Sequence, residues 1–298
     1  MKVLVPKLSG FCPGVKRAVH KLLEFRNLYP QAELFINGYL INNKQFINFL
    51  KCQRIFILDE KDVLPPGTPV FIRTHGIAWP EEERLKKRYR LIDLTCANVK
   101  RVQQAIQRHA HESYFTIIVG ARNHPEIIGL ISYAQKGHVV VEKETELESL
   151  KTELERQLAQ RRPLKLFLCT QTTGVRELFM TVADFLQGWI KENPDLILKI
   201  FDSICPITEK KEAEALRLQK KATVTFVLGD RLSANAQKLY QVLKSQQAST
   251  YFVENLSELI SLNLLLSKEQ IALVVSSAST PSFIEDEVVK YLAAIGKD

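Results

Sequence analysis

Three cysteines in this 298-residue chain stand in similar surroundings. Cys12 opens Cys12-Pro13-Gly14-Val15-Lys16-Arg17, Cys96 opens Cys96-Ala97-Asn98-Val99-Lys100-Arg101, and Cys205 opens a looser Cys205-Pro206-Ile207-Thr208-Glu209-Lys210. In each, a β-like run ends at the thiol and a helical pattern begins behind it. A cysteine at a helix N-terminus faces unpaired N–H groups and the positive end of the dipole, which favours thiolate, the form that binds iron or zinc. Separations of 84 and then 109 residues exclude a local Cys-x-x-Cys zinc pair. One thiolate from each of three units would hold a cluster with a metal position left open, and an open position can bind and activate substrate. The alternative is three small buried residues that happen to end strands, as free cysteines often do; the repeated Val-Lys-Arg context weighs against it. Cys52 and Cys169 lie outside the pattern, and a buried structural role is expected for both.

Other polar groups gather where apolar runs stop. His124-Pro125-Glu126 puts an imidazole and a carboxylate in one expected loop, and both can move protons near neutral pH. Either alone would be an ordinary loop residue. Thr170, Thr172 and Thr173 offer hydroxyls for a proton relay, or more commonly for capping a helix. His75, Ser233, Asn235 and Ser279 suit phosphate oxygens if helix N-termini stand behind them, although serine and asparagine are also common loop residues. The chain has no Walker loop, no strand-linked G-x-G-x-x-G and no His-Glu-x-x-His, which leaves nucleotide and zinc-protease functions without an anchor.

Positioning these residues requires alternating strands and helices. Val3 to Val5, Glu33 to Ile36, Arg54 to Leu58, Pro69 to Ile72, Leu91 to Leu94, Phe115 to Val119, Val139 to Val141, Leu164 to Leu168, Leu196 to Phe201, Val224 to Leu228 and Ile271 to Val275 have strand character. Helical stripes begin at Val15, Asn43, Val99, Glu144, Glu209 and Ile284. The alternation predicts an α/β fold with largely parallel sheets, whose ligands bind beyond the carboxyl ends of the strands. Three similar units are expected at 1–88, 89–195 and 196–298. A composition of 46% hydrophobic and 25% charged residues is that of a globular protein. No apolar run reaches the roughly 18–20 residues of a membrane helix, and the start, Met-Lys-Val-Leu-Val-Pro-Lys, lacks a signal-like apolar region, so a cytoplasmic location is expected. The five cysteines, an odd number, do not suggest a disulfide framework. The net charge of +8 suits an anionic ligand or an acidic partner, and because the basic residues are scattered no nucleic-acid role is expected.

In order along the chain, Gly10-Phe11-Cys12-Pro13-Gly14-Val15, Thr74-His75-Gly76, Asp93-Leu94-Thr95-Cys96, His124-Pro125-Glu126, Thr170-Gln171-Thr172-Thr173 and Cys205 resemble the motifs of one family, the 4-hydroxy-3-methylbut-2-enyl diphosphate reductases, also called LytB or IspH. The resemblance covers nearly the whole chain. It implies three α/β units in a trefoil-like arrangement around a 4Fe-4S cluster, with Cys12, Cys96 and Cys205 as ligands and one iron open. The implied reaction is the last step of the methylerythritol phosphate route, in which two electrons and two protons remove an allylic hydroxyl as water to give isopentenyl and dimethylallyl diphosphates. By the same resemblance the open iron takes the hydroxyl oxygen and Glu126 supplies protons. Thr172 and His124 hold the hydroxyl end, Thr173 lies among the substrate contacts, and His75, Ser233, Asn235 and Ser279 grip the diphosphate. The implied electron donor is a ferredoxin or flavodoxin, and the enzyme would be a monomer or homodimer with no membrane or nucleic-acid partner.

Departures from the family pattern gather at the phosphate end. Asn42 precedes Asn43 where the family usually has a histidine, Ala234 replaces a second serine, and Ala97 replaces the usual proline after the second ligand. Asparagine can still donate a hydrogen bond but cannot carry an imidazolium charge. Two further possibilities therefore stand beside the reductase: a paralogue that keeps the cluster but acts on another small allylic substrate, and a non-enzymatic cluster-binding redox sensor.

Overall fold

Two predominantly apolar runs become fully buried central strands, Phe115–Val119 and Val224–Leu228, with no exposed position in either. In the computed structural model, which describes residues 1–59 and 62–296, the chain begins with β1 (Lys2–Leu4), α1 (Pro13–Leu28), β2 (Leu34–Asn37), α2 (Lys44–Cys52) and β3 (Ile55–Ile57). It continues with β4 (Pro69–Ile72), α3 (Trp79–Lys86), β5 (Arg90–Asp93), α4 (Ala97–His111), β6 (Phe115–Val119), α5 (Pro125–Ile131) and β7 (His138–Val141). Then come α6 (Leu147–Gln160), β8 (Leu164–Thr170), α7 (Arg176–Glu192), β9 (Leu196–Ile200) and α8 (Pro206–Gln219). The last elements are β10 (Val224–Leu228), α9 (Ala234–Gln246), β11 (Thr250–Val253), α10 (Leu256–Ser261), β12 (Ile271–Ser276) and α11 (Ser282–Ala294).

The fold is α/β with three parallel-sheet units, as expected. Two compact units carry it: Met1–Lys61 with Pro206–Asp298, and Asp62–Cys205. The first contains a parallel sheet in the order β1-β12-β10-β11 and the parallel pair β2–β3. The second contains a parallel sheet in the order β7-β6-β8-β9 and the parallel pair β4–β5.

Both faces of each four-stranded sheet are covered, which is why β6 and β10 are buried at every position rather than alternating. In the second unit Phe115, Ile117 and Val119 pack under Leu150, Leu154, Phe179, Val182 and Leu186. The opposite face presents Ile118, Phe167 and Cys169 to Val102, Ile106, Ile127 and Leu130. In the first unit Phe226, Leu228 and Val274 meet Ile284, Val288 and Leu292, while Val227, Leu273 and Val275 meet Ala215, Leu239 and Leu243.

The strands before the three cysteine turns, β1, β5 and β9, are all edge strands. After the turn the chain leaves that sheet: α4 packs on β6 and β8, and α8 packs on β12. Strand pairing therefore cuts across the expected limits at 88/89 and 195/196, since β4 pairs with β5 and β8 with β9. The strand–cysteine–helix stretches repeat along the sequence, but β5 and β9 hydrogen-bond to the strands before them, β4 and β8, while α4 and α8 pack on strands that come later.

Candidate functional site

None of the five cysteines is in a disulfide, and they fall into two classes. Cys12, Cys96 and Cys205 are partly exposed at strand-to-helix turns. Cys12 and Cys96 occupy the N-cap positions of α1 and α4 without spending their sulfur on a cap bond. Cys169 is fully buried in β8, and burial, reinforced by the Glu126 charge, pushes its thiol far up. That agrees with its expected structural role. Cys52 is also outside the turns but is exposed, at the end of α2, so the buried role expected for it does not hold; the apolar stripe of α2 faces inward at Phe46 and Leu50 instead.

Each turn is fixed by its own bonds. Ahead of Cys12, the Lys7 and Leu8 amides donate to the Glu214 carboxylate at 3.1 Å each. The Ser276 amide donates to Ser9 Oγ at 2.9 Å, and the Lys211 ammonium donates to the Gly10 carbonyl. Lys211 is 6% exposed; its desolvation lowers it to about 8, against the raising influence of Cys12 and Glu285. Cys96 is held by its amide, which donates to the Thr74 carbonyl at 2.9 Å. One residue upstream the Thr95 amide donates to Asp93, whose carboxylate pairs with Lys100 at 2.8 Å. The Cys205 amide donates to the Thr172 carbonyl at 2.7 Å. Asn98, in the first turn of α4, donates from Nδ2 to Cys205 Sγ at 3.2 Å, so the second and third cysteine turns meet.

Glu126 was expected in one loop with His124; instead it lies in the first turn of α5 and is 1% exposed. Pro125 at the first helical position, where its fixed φ is favoured, starts the helix early, and His124 is the N-cap. Thr172 grips both carboxylate oxygens, its amide donating to Oε1 at 2.7 Å and its hydroxyl to Oε2 at 2.8 Å. Burial outweighs those two bonds and raises Glu126 to about 7. His124 Nδ1 accepts the Glu126 amide at 3.2 Å, so the neutral ring carries its proton on Nε2. The ring stands edge-on to His75 with centroids 5.5 Å apart. Burial, His124 and Arg73 together push His75 down to about 3, and burial and Arg73 lower His124. Both rings are therefore neutral hydrogen-bonding groups at physiological pH. Gly76, at φ +72°, turns the chain beside His75 where a Cβ would stand 2.5 Å from Gln103 Nε2.

The threonines do not cap α7, whose N-cap is Val175. Thr170 donates to the Val119 carbonyl, Thr173 accepts from Gln171 Nε2, and Thr172 serves Glu126. Thr172 thus joins the acid, through its amide and hydroxyl, to the Cys205 turn, through its carbonyl.

The hydroxyls expected at a phosphate are in the first unit. Ser233 caps α9, accepting the Ala236 amide at 3.4 Å, and Asn235 follows in the first turn of that helix. Ser279 donates to Ser233 at 3.0 Å and lies 3.2 Å from Ser277. Asp230, 3% exposed, accepts the Leu232 amide and the Lys44 amide at 2.8 Å each, which pins the start of α2 to the loop after β10. Asn42 precedes the Asn43 cap of that helix. Asn42, Ser233, Asn235, Ser279 and Cys12 therefore belong to one unit, and His75, Cys96, His124, Glu126, Thr172, Thr173 and Cys205 to the other. Sequence reasoning assigned no role to Asn98, Lys211 or Asp230. Asn98 stood in the quoted cysteine repeat, but nothing local signalled the other two, whose partners lie about two hundred residues away.

Among the described residues no three His, Cys, Asp or Glu side chains are close enough to chelate one ion. A multi-iron cluster is ligated through separate irons, one thiolate to each, and does not require three side chains on a single ion. No helix among the described residues is long and apolar enough to cross a membrane.

The family described as LytB protein matches residues 3–293. A Clostridium tetani protein named 4-hydroxy-3-methylbut-2-enyl diphosphate reductase is 32% identical over 97% of this chain, which spans 43% of that relative's length. Reductases of the same name from Thermoanaerobacter sp. and Aquifex aeolicus are each 32% identical over 97% and 96% of the chain, covering 96% and 94% of their own lengths. The solved structure of (E)-4-hydroxy-3-methyl-but-2-enyl diphosphate reductase, the terminal enzyme of the non-mevalonate pathway, is 31% identical with a TM-score of 0.72, covering 99% of this chain and 100% of its own. The E-1-hydroxy-2-methyl-but-2-enyl-4-diphosphate reductase of Plasmodium falciparum gives a TM-score of 0.80 at 26% identity, covering 98% of this chain and 87% of its own.

Proposed function

Because the chain belongs to the LytB family, we propose that it is an iron–sulfur reductase that removes the allylic hydroxyl of 4-hydroxy-3-methylbut-2-enyl diphosphate. The balance is two electrons and two protons in, one C–O bond broken, one C–H bond formed and water out. Cys12, Cys96 and Cys205 would hold a 4Fe-4S cluster, which when bound supplies the electrons and a Lewis-acidic iron.

The observation that carries this reading is the Glu126–Thr172–Cys205 connection. A carboxyl raised to about 7 is divided between acid and base near neutral pH, the condition for efficient proton donation. Thr172 orients that carboxyl through two bonds and fixes the Cys205 turn through a third, so the proton source and a ligand turn share one anchor. His124, neutral and protonated on Nε2, can donate to the hydroxyl end without adding charge. In the first unit, the Ser233 and Ser279 hydroxyls now satisfy each other and would turn outward to donate to phosphate oxygens, with the start of α9 behind them.

The test is anaerobic turnover of the diphosphate with a chemical reductant, alongside iron and sulfide analysis. Bound iron and sulfide with reductive loss of the hydroxyl is the expected result. An intact cluster with no turnover of this diphosphate would sink the substrate assignment.

Asn42 favours a second reading, a related reductase of another small allylic substrate. A neutral amide in place of an imidazolium forgoes a charge-assisted bond, on the order of 1–3 kcal/mol. Asn42→His is expected to lower KM for the diphosphate about tenfold, or about 1.4 kcal/mol, with little change in kcat, because the contact is the same in ground and transition states. Steady-state kinetics of the two proteins measure this. Negligible wild-type turnover, restored by the histidine, would instead favour the other substrate.

A further inference from the structure

On the second unit, an open groove of about 470 Å³ lies along α4 and the end of β9, lined by Arg101, Arg108, Lys199, Ile200 and Phe201 over a floor of His109 and Phe167. Its floor is a stack: His109 lies on Phe167 with centroids 4.0 Å apart, and Phe167 on Phe201 at 6.4 Å. Ile200 is 39% exposed, and Arg101, Arg108 and Lys199 are exposed around it. Lys165 joins the rim, since Lys165 and Lys199 both lie over the Tyr114 ring, at 5.6 and 4.8 Å. Glu112 pairs with Lys199 at 3.3 Å, leaving the rim cationic on balance. Two arginines and two lysines around the exposed Ile200 and the half-buried Phe201 make a basic rim about a small apolar centre, and that charge selects an acidic partner.

The groove is built from the two segments that carry Cys96 and Cys205. Arg101 follows Cys96 by five helical positions, about 7.5 Å of axial rise. Phe201 precedes Cys205 by four residues, at most roughly 14 Å of extended chain, and Asn98 ties the two cysteine turns together. Accepting the reductase reading, on which this inference rests, electrons must enter one at a time from outside. The chain carries no strand-linked G-x-G-x-x-G through which a nicotinamide or flavin dinucleotide would bind. We propose that this groove is the docking surface for an acidic one-electron carrier protein, seated over the aromatic stack with its carboxylates on Arg101, Arg108 and Lys199.

The test uses a purified, strongly acidic, low-potential ferredoxin as the probe and the cluster-loaded enzyme. Binding is measured by anaerobic calorimetry at low and high ionic strength, and turnover is measured with ferredoxin and, separately, with a small chemical reductant. Arg101→Glu/Arg108→Glu is expected to weaken ferredoxin binding at least about tenfold at low salt, to flatten its salt dependence, and to leave turnover with the chemical reductant unchanged. If the double reversal folds poorly, Arg101→Gln/Arg108→Gln should give a smaller shift in the same direction. Wild-type protein that does not bind the ferredoxin, or variants that bind it unchanged, would overturn the proposal. So would a change of sedimentation on charge reversal, because the groove would then be covered by a second copy of the chain. Absence of turnover with the chemical reductant would count against the reductase reading and leave the binding result to be judged by itself.

Discussion

Glu126→Gln should lower turnover by about two to four orders of magnitude, the usual worth of a positioned general acid, while leaving iron and sulfide content at the wild-type level. The contrast depends on how the side chain is held. Glutamine has the shape of glutamic acid, and its Oε1 can accept the Thr172 amide while its Nε2 donates to a rotated Thr172 hydroxyl. Both bonds that anchor the group would persist, so the Thr172 carbonyl stays on the Cys205 amide and the ligand turn is undisturbed. What disappears is the transferable proton. Turnover retained within a fewfold of wild type would mean that protons reach the substrate by another route.

The same variant separates the pH effects. Glu126 is raised from 4.5 to about 7 by burial, so wild-type turnover should fall as pH rises through about 7 and the acid form is lost, a limb that Glu126→Gln should lack. The stability effect has the same direction. Between 4.5 and 7 the folded chain holds this proton more tightly than the unfolded chain, and by linkage stability falls as pH rises across that window, by about 3 kcal/mol at most. Thermal denaturation at pH 5 and pH 8 should therefore show a smaller loss for Glu126→Gln than for wild type.

Much of the fold was legible because its strands carry strong local signals. Phe115–Val119, Pro69–Ile72 and Val224–Leu228 begin and end at the positions expected from their apolar runs. The turns at Cys12, Cys96 and Cys205 were legible because each joins a strand end to a helix start. The boundaries of the three units were not, since hydrogen bonding between β8 and β9, or between β1 and β12, is a long-range choice that no local pattern records. Within the site, Glu126 was recognisable as an acid, but its burial was not: a proline and a glutamate after a histidine read like a loop, and only the packing of Ile127 and Leu130 against Ile118 and Phe167 draws that turn inward. Lys211 was invisible for the same reason, as its partner Gly10 lies 201 residues away.

Replacing Cys12, Cys96 or Cys205 singly by serine should abolish turnover and strip most of the bound iron after anaerobic reconstitution, while Cys52→Ser and Cys169→Ala keep both. Loss of groups that merely orient metal ligands costs about 10–100-fold, so loss of a ligand should cost at least about a hundredfold. A serine hydroxyl is a much poorer ligand for iron, and it keeps the small polar side chain of the turn, so the loss reports ligation and not collapse. The backbone supports this expectation: the Cys205 amide still reaches Thr172, the Cys96 amide still reaches Thr74, and Lys211 still holds Gly10 ahead of Cys12. The Cys169 control has to be alanine, because a hydroxyl at that fully buried position would need a partner in the apolar layer formed by Ile118, Ile127 and Phe167. If one of the three turn cysteines proved dispensable for iron retention, the cluster would be held differently from the one-thiolate-per-turn arrangement. Circular dichroism of each variant should match the wild type, and a serine variant with native secondary structure and no iron is the outcome that assigns its cysteine to the cluster.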